Sequence, residues 1–195
     1  MRMATARPEV PEAPRKITAA EFLAFPDDFP PHSQLVEGTV VVNEPKLPHQ
    51  RVCMYLQHLM TSWVLAESGR GEVFLPIDVP IDEYNVFAPD VSWYAEEHRP
   101  PREAELVDRI PDLAIEVRSP STWRYDVGPK LSRFQAAGLP ELWLVDTASK
   151  TVLVYRRSAP EKAEFDVALE LGSGATLTSP LLPGLVLEID ELFDR

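Results

Sequence analysis

A single acid sits in a stretch that has little room for one. Residues 111–146, PDLAIEVRSPSTWRYDVGPKLSRFQAAGLPELWLVD, read as strand, loop, helix and strand. Asp112 to Val117 is a short apolar run broken by Glu116. A carboxylate inside a β-rich apolar run must be paired, hydrated or bound to a cation. Ser119-Pro120-Ser121-Thr122 follows as a loop. The spacing then predicts a helix from about Val127 to Ala137, closed by Gly138, and a second buried strand over Glu141 to Val145.

The rest of the chain bounds what this stretch can belong to. Its 195 residues suffice for one domain with a sizeable core, and 45% hydrophobic with 26% charged residues is ordinary for a globular protein. No apolar run approaches the roughly 18 residues that span a bilayer. The first residues, MRMATARPEVPEAPRK, are charged and Pro-rich and lack the apolar core of a signal peptide, so a cytoplasmic protein without membrane association is expected. A sole cysteine, Cys53, excludes an internal disulfide and a cysteine-cluster metal site, and reads as a small buried hydrophobe. The net charge of −12 argues against broad adhesion to nucleic acid. One segment is locally basic: Arg118, Arg124, Lys130 and Arg133 meet only Asp126.

In chain order, residues 1–16 read as a disordered or loosely docked arm, and residues 17–195 as a single domain. Thr18 with Glu21 forms a capping box for a short helix over Ala19 to Ala24. Leu35 to Val42 suggests a tight hairpin turning at Glu37-Gly38, and Pro45 and Pro48 make a loop. Gln50 to Glu67 is the clearest amphipathic helix. Glu72 to Val79 alternates as a strand, with Pro76 arguing for an edge or bend, and Phe87 to Tyr94 reads as another. Thr151 to Arg156 and Phe165 to Leu171 are further strands, Leu181 to Ile189 is a last extended segment, and Asp190 to Phe193 is one helical turn. Strands with helices set among them predict an α/β (α+β) domain with a central mixed sheet.

Two constellations can carry chemistry. Asp90 and Glu116 lie on predicted strands, far enough apart in sequence for the second to return beside the first. Carboxylates on neighbouring strands can share Mg²⁺, which takes oxygen ligands in octahedral geometry and keeps waters or substrate phosphate. They can equally be structural, with Asp90 capping a strand start and Glu116 paired to Arg118 or Arg124. Asp126 and Lys130 are spaced to share one face of a helical turn. Pro129 between them is acceptable only in a first turn. Lys130 can contact a scissile phosphate or hydroxide, or form a surface ion pair. The four histidines show no metal-type spacing with one another or with cysteine.

Pro89-Asp90, PDLAIEVRSPST, Asp126 with Lys130, AGLPELWLVD and the strand TVLVYRR together resemble the Uma-type bacterial restriction-endonuclease family, a branch of the PD-(D/E)XK nuclease superfamily. EFLAFPDD, HQRV and SPLLPGLVLEIDELF extend the resemblance over most of the chain. It implies a restriction-endonuclease-like fold with an α-β-β-β-α-β core. It further implies a Mg²⁺ or Mn²⁺ site on Asp90, Glu116 and the backbone carbonyl of Val117. The usual motif lysine would stand at position 118, where this chain has Arg118, so the resemblance implies that Lys130 takes that role and that Asp126 orients it or holds a water. The family's YELIDGE-like hairpin reads here as Ser33 to Thr39, with Gln34 and Thr39 replacing its outer acids and Glu37 matching the middle one. The implied activity is Mg²⁺-dependent hydrolysis of DNA phosphodiesters by a homodimer. The alternatives are a non-catalytic nucleic-acid-binding or assembly protein with the same fold, and a metal hydrolase for a small phosphate ester.

Overall fold

The structure, a computed structural model, describes residues 15–26 and 30–194. Residues 1–14 of the expected N-terminal arm lie outside the described residues. Helix α1 (Ala19–Leu23) starts as predicted: the Thr18 hydroxyl accepts from the Glu21 N–H, and the Glu21 carboxylate accepts from the Thr18 N–H. Strands β1 (Ser33–Val36) and β2 (Thr39–Val42) pair across the Glu37-Gly38 turn. Both turn residues have positive φ, 51° and 79°, the pair of left-handed conformations that a two-residue hairpin loop needs.

Helix α2 (Leu47–Ala66) begins earlier than the predicted Gln50. Pro48 sits in its first turn, where an absent N–H leaves nothing unsatisfied, so it opens the helix instead of ending a loop. Glu72 to Val79 is not one strand. Strand β3 (Glu72–Phe74) stops before Pro76, and β4 (Val79–Asp82) starts after it in a different sheet, since Pro76 cannot donate to a continuing ladder. Phe87 to Tyr94 is likewise split, into β5 (Asn85–Phe87) and β6 (Val91–Tyr94), with Asp90 just outside the strand.

Strand β7 (Leu113–Val117) is followed by a helical segment longer than the predicted one. It comprises α3 (Trp123–Tyr125), a π turn at Asp126–Lys130 and α4 (Leu131–Ala137). Pro129 is therefore inside a helix and not in its first turn. In an α-helical turn its ring would clash with the carbonyl four residues back, and the wider π turn removes that clash. Strands β8 (Glu141–Asp146), β9 (Thr151–Arg156), β10 (Val167–Leu171), β11 (Thr176–Leu177) and β12 (Leu187–Glu188) lead to α5 (Ile189–Asp194). The last extended segment is thus a strand only at its end.

One sheet has the order β10-β9-β8-β7-β6-β3. Its β7–β8 pair is parallel because a helical crossover joins the two strands, and its other pairs are antiparallel. A second, antiparallel sheet has the order β2-β1-β5-β4. Side-chain alternation divides the core. Leu113, Ile115, Val117, Trp143 and Val145 pack with Val52, Leu56 and Met60 of α2. Ala114, Leu142 and Leu144 pack with Phe87, Leu139 and Phe134 of α4. Glu116 shares the parity of Ala114 and so faces the side covered by the π turn and α4.

Gly71 carries the chain from α2 into β3 with φ +76°, and a Cβ there would lie 2.0 Å from the Tyr94 carbonyl oxygen. Gly71→Ala is expected to lower stability by about 2–3 kcal/mol through left-handed strain and displacement of the β3–β6 pair. Urea unfolding measures this. A loss under about 0.5 kcal/mol, small for any strained position, would mean that β3 yields freely at the sheet edge.

Candidate active site

The register of β6 on β7 sets up the site. Val91 pairs with Ile115, so continuing the ladder would put Pro89 opposite Val117. Proline has no N–H to give, and the ladder ends there. The freed Val117 backbone is taken up by side chains instead. Its N–H donates to Asp90 Oδ2 at 2.7 Å, and its carbonyl oxygen lies 3.0 Å from His49 Nδ1. His49 Nε2 in turn stands 3.3 Å from Asp90 Oδ1. The Pro-Asp pair thus ends a strand pairing and holds the neighbouring strand's backbone with its own carboxylate.

From the opposite side, the π turn delivers Lys130. Its ammonium lies 2.5 Å from Glu116 Oε1, 3.1 Å from Asp126 Oδ1 and 5.5 Å from the centre of the Phe87 ring. All three charged side chains are at least nine-tenths buried. Asp126 and Lys130 are therefore not a surface ion pair. The arginine partners considered for Glu116 are engaged elsewhere. Arg118 donates to both carboxylate oxygens of Asp146 at 2.9 Å and stacks over Trp123, while Arg124 lies on Tyr125. Lysine at 130 and not arginine at 118 is the cation at Glu116.

Burial pushes the Glu116 carboxyl well above the usual carboxylate range, Lys130 opposes the shift, and Asp126 and Asp90 add to it. Burial raises Asp126 too, against the pull of Lys130. Burial would also discharge Lys130, but Glu116 and Asp126 outweigh it and hold the ammonium above its ordinary value. The physical content is an acid surplus: two carboxylates lie against one buried ammonium, and the charge of Asp90 adds to theirs from farther off. Glu116 Oε1 and Lys130 Nζ, although close, are poorly oriented and form no proper hydrogen bond. Asp90, Glu116 and the Val117 carbonyl are oxygen donors, the ligand type that a hard divalent cation takes. The acid surplus and the poorly satisfied Glu116 oxygen are compatible in chemistry with such an ion.

His49 is the residue that the sequence reading did not pick out. Burial disfavours its protonated form, but Asp90 outweighs this and raises its pKa. One turn on in α2 is Cys53, and the ligand atoms of His49, Cys53 and Asp90 all lie within 4.8 Å of one another. Burial, reinforced by Asp90 and Glu116, raises the Cys53 pKa and keeps it a thiol at neutral pH. A signal was available in the i, i+4 spacing of His49 and Cys53. Starting the helix at Gln50 left His49 outside it. The hairpin residues play other parts. Gln34 accepts from the Ala88 N–H at 3.1 Å and braces the loop leading to Asp90. Glu37 faces solvent and reaches Arg133 at 3.4 Å, and Thr39 is exposed.

A mixed sheet with acids at the ends of adjacent strands and a lysine delivered by the crossover helix defines a restriction-endonuclease-like protein. A family model described as "Uma2: Putative restriction endonuclease" matches residues 19–190. The chain belongs to this family. Among solved structures, it is similar to one described as a "putative nuclease belonging to DUF820" from Anabaena variabilis. Identity is 25%, the TM-score is 0.77, and the match covers 91% of this chain and 98% of that one. No curated protein matches the chain. No described helix is long and apolar enough to cross a membrane.

Lys130→Met would leave buried acids without their cation. It is expected to lower stability by about 3–5 kcal/mol, the cost of breaking a buried pair from one side. Glu116→Gln keeps Lys130 held by Asp126 and should change stability by less than about 1.5 kcal/mol, the scale of one hydrogen bond. Denaturant unfolding of both variants makes the comparison. Equal losses would show that the ammonium is not what holds the cluster together.

Proposed function

We propose that this chain is a Mg²⁺- or Mn²⁺-dependent endonuclease that hydrolyses phosphodiester bonds in DNA. The observation that carries this reading is the buried, charged Lys130 held between Glu116 and Asp126, with Asp90 adding to the acid surplus. Asp90, Glu116 and the Val117 carbonyl oxygen would hold the ion. When bound, the ion supplies a nucleophilic water at neutral pH and neutralises charge on the scissile phosphate. Lys130 stabilises the anionic nucleophile or the transition state from a low-dielectric position. Asp126 orients the ammonium. His49 and Asp90 hold the Val117 backbone, which would keep its carbonyl oxygen in place as a ligand. A cavity of about 180 Å³ beside Asp90 and His49, also lined by His32, Asn43 and Gln50, gives substrate a side from which to approach Asp90. In-line attack leaves a 5′-phosphate and a 3′-hydroxyl. A homodimer acting in the cytoplasm completes the reading, since two symmetric sites suit cleavage of both strands of a duplex.

Gln34 supports a second reading. It stands where the family has an acid, and it is committed to bracing a loop. That loss favours a nucleic-acid-binding or assembly protein that keeps the fold without catalysis.

Cleavage of supercoiled plasmid and of oligonucleotides with Mg²⁺ or Mn²⁺ tests the first reading. Glu116→Gln and Asp90→Asn are expected to abolish cleavage, and Lys130→Met to reduce it by about 10²–10³-fold, as for loss of one preorganised transition-state donor. Binding of DNA by wild-type protein without metal-dependent cleavage would move the second reading ahead.

A further inference from the structure

We propose that His49, Cys53 and Asp90 form a binding site for a zinc-class ion, distinct in its donors from the proposed Mg²⁺ site and overlapping it at Asp90. The three ligand atoms, one nitrogen, one sulfur and one oxygen, lie within 4.8 Å of one another. His49 and Cys53 project from successive turns of α2, and Asp90 meets them from the start of β6. Mg²⁺ accepts oxygen ligands in near-octahedral array and has no use for this set. Zn²⁺ and its borderline-soft relatives bind imidazole and thiolate in tetrahedral sites.

The imidazole is already arranged for such an ion. His49 Nδ1 faces the Val117 carbonyl oxygen at 3.0 Å and acts as the donor there. In the neutral ring, this leaves the Nε2 lone pair directed at Asp90 Oδ1, 3.3 Å away. Histidine ligands to metals are commonly fixed in this way through the other ring nitrogen. The 3.3 Å spacing also suits two ligand atoms on one tetrahedral ion. Bonds of about 2.0–2.1 Å at the tetrahedral angle place them about 3.3 Å apart. The cavity of about 180 Å³ beside the three residues leaves the fourth position open to water or another ligand. Binding exchanges the Cys53 thiol proton for the ion and releases that proton to solvent.

Asp90 links this site to the proposed catalytic one. Its Oδ2 accepts from the Val117 N–H and its Oδ1 faces His49 Nε2, so the two ions compete for one carboxylate. If the chain is the Mg²⁺ nuclease proposed above, an equivalent of Zn²⁺ suppresses its cleavage.

Cobalt titration of the full-length protein tests the site without relying on activity. Because Cys53 is the only cysteine in the sequence, a thiolate-to-cobalt charge-transfer band in the wild-type spectrum can come from no other residue. The expected result is such a band, saturating at one equivalent of Co²⁺. Zn²⁺ removes it, and excess Mg²⁺ does not. His49→Ala and Cys53→Ala lose the band, while Glu116→Gln keeps it. Absence of the band in wild-type protein overturns the proposal, as does its persistence in folded His49→Ala. The wild-type spectrum decides even if a variant fails to fold. A band in a protein that cuts no nucleic acid upholds this site while counting against the nuclease reading.

Discussion

Glu116 can occupy the middle of a buried sheet only because Lys130 reaches it across the core. The contact is 2.5 Å long, and neither side chain has appreciable access to solvent. Much of the local architecture follows from keeping it. Asp126 supplies the second acid that helps the ammonium stay charged without water. Phe87 closes the ring face over the cation, and Phe134 packs edge-on against Phe87 to complete the lid. A buried ion pair contributes little net stability compared with apolar residues of the same shape, because desolvation offsets the attraction. Its retention here is better explained by chemistry than by folding energy.

The sheet places different elements of the site on its two sides. Helix α2 brings His49 and Cys53 to Asp90, and the π turn brings Asp126 and Lys130 to Glu116. Between them runs the Val117 backbone, whose polar groups point along the sheet towards the gap left by Pro89. Two half-sites are thus joined through main chain and not through side-chain contact. The charge of Asp90 acts across the sheet on Glu116 and Asp126, and that of His49 on Asp126.

Features governed by neighbours in sequence were legible before the structure. The capping box at Thr18 and Glu21 depends on residues three apart, and the hairpin at Glu37-Gly38 on a turn that only a few residue pairs tolerate. Glu116 stood out because its polarity contradicts its surroundings, and Asp90 and Lys130 followed from the ordered motifs around it. The prolines were harder to read. Pro48 opens a helix, Pro76 divides two sheets, Pro89 ends a ladder and Pro129 lies within a widened turn, so one residue type has four consequences. Which one applies is decided by the partner strand or the packing face, and neither is local in sequence. His49 was missed for a related reason: its role depends on a carbonyl sixty-eight residues away.

The π turn also sets the rotational phase of everything after it. Each residue of an α-helix advances the side-chain direction by about 100°. Removing one residue between Asp126 and Lys130 would change the angle between the two side chains, so that α4 and the ammonium could keep their places only if Asp126 turned away from them. Insertions and deletions in this short stretch therefore act on the chemistry before they act on the fold. Length here is as strict a requirement as residue identity.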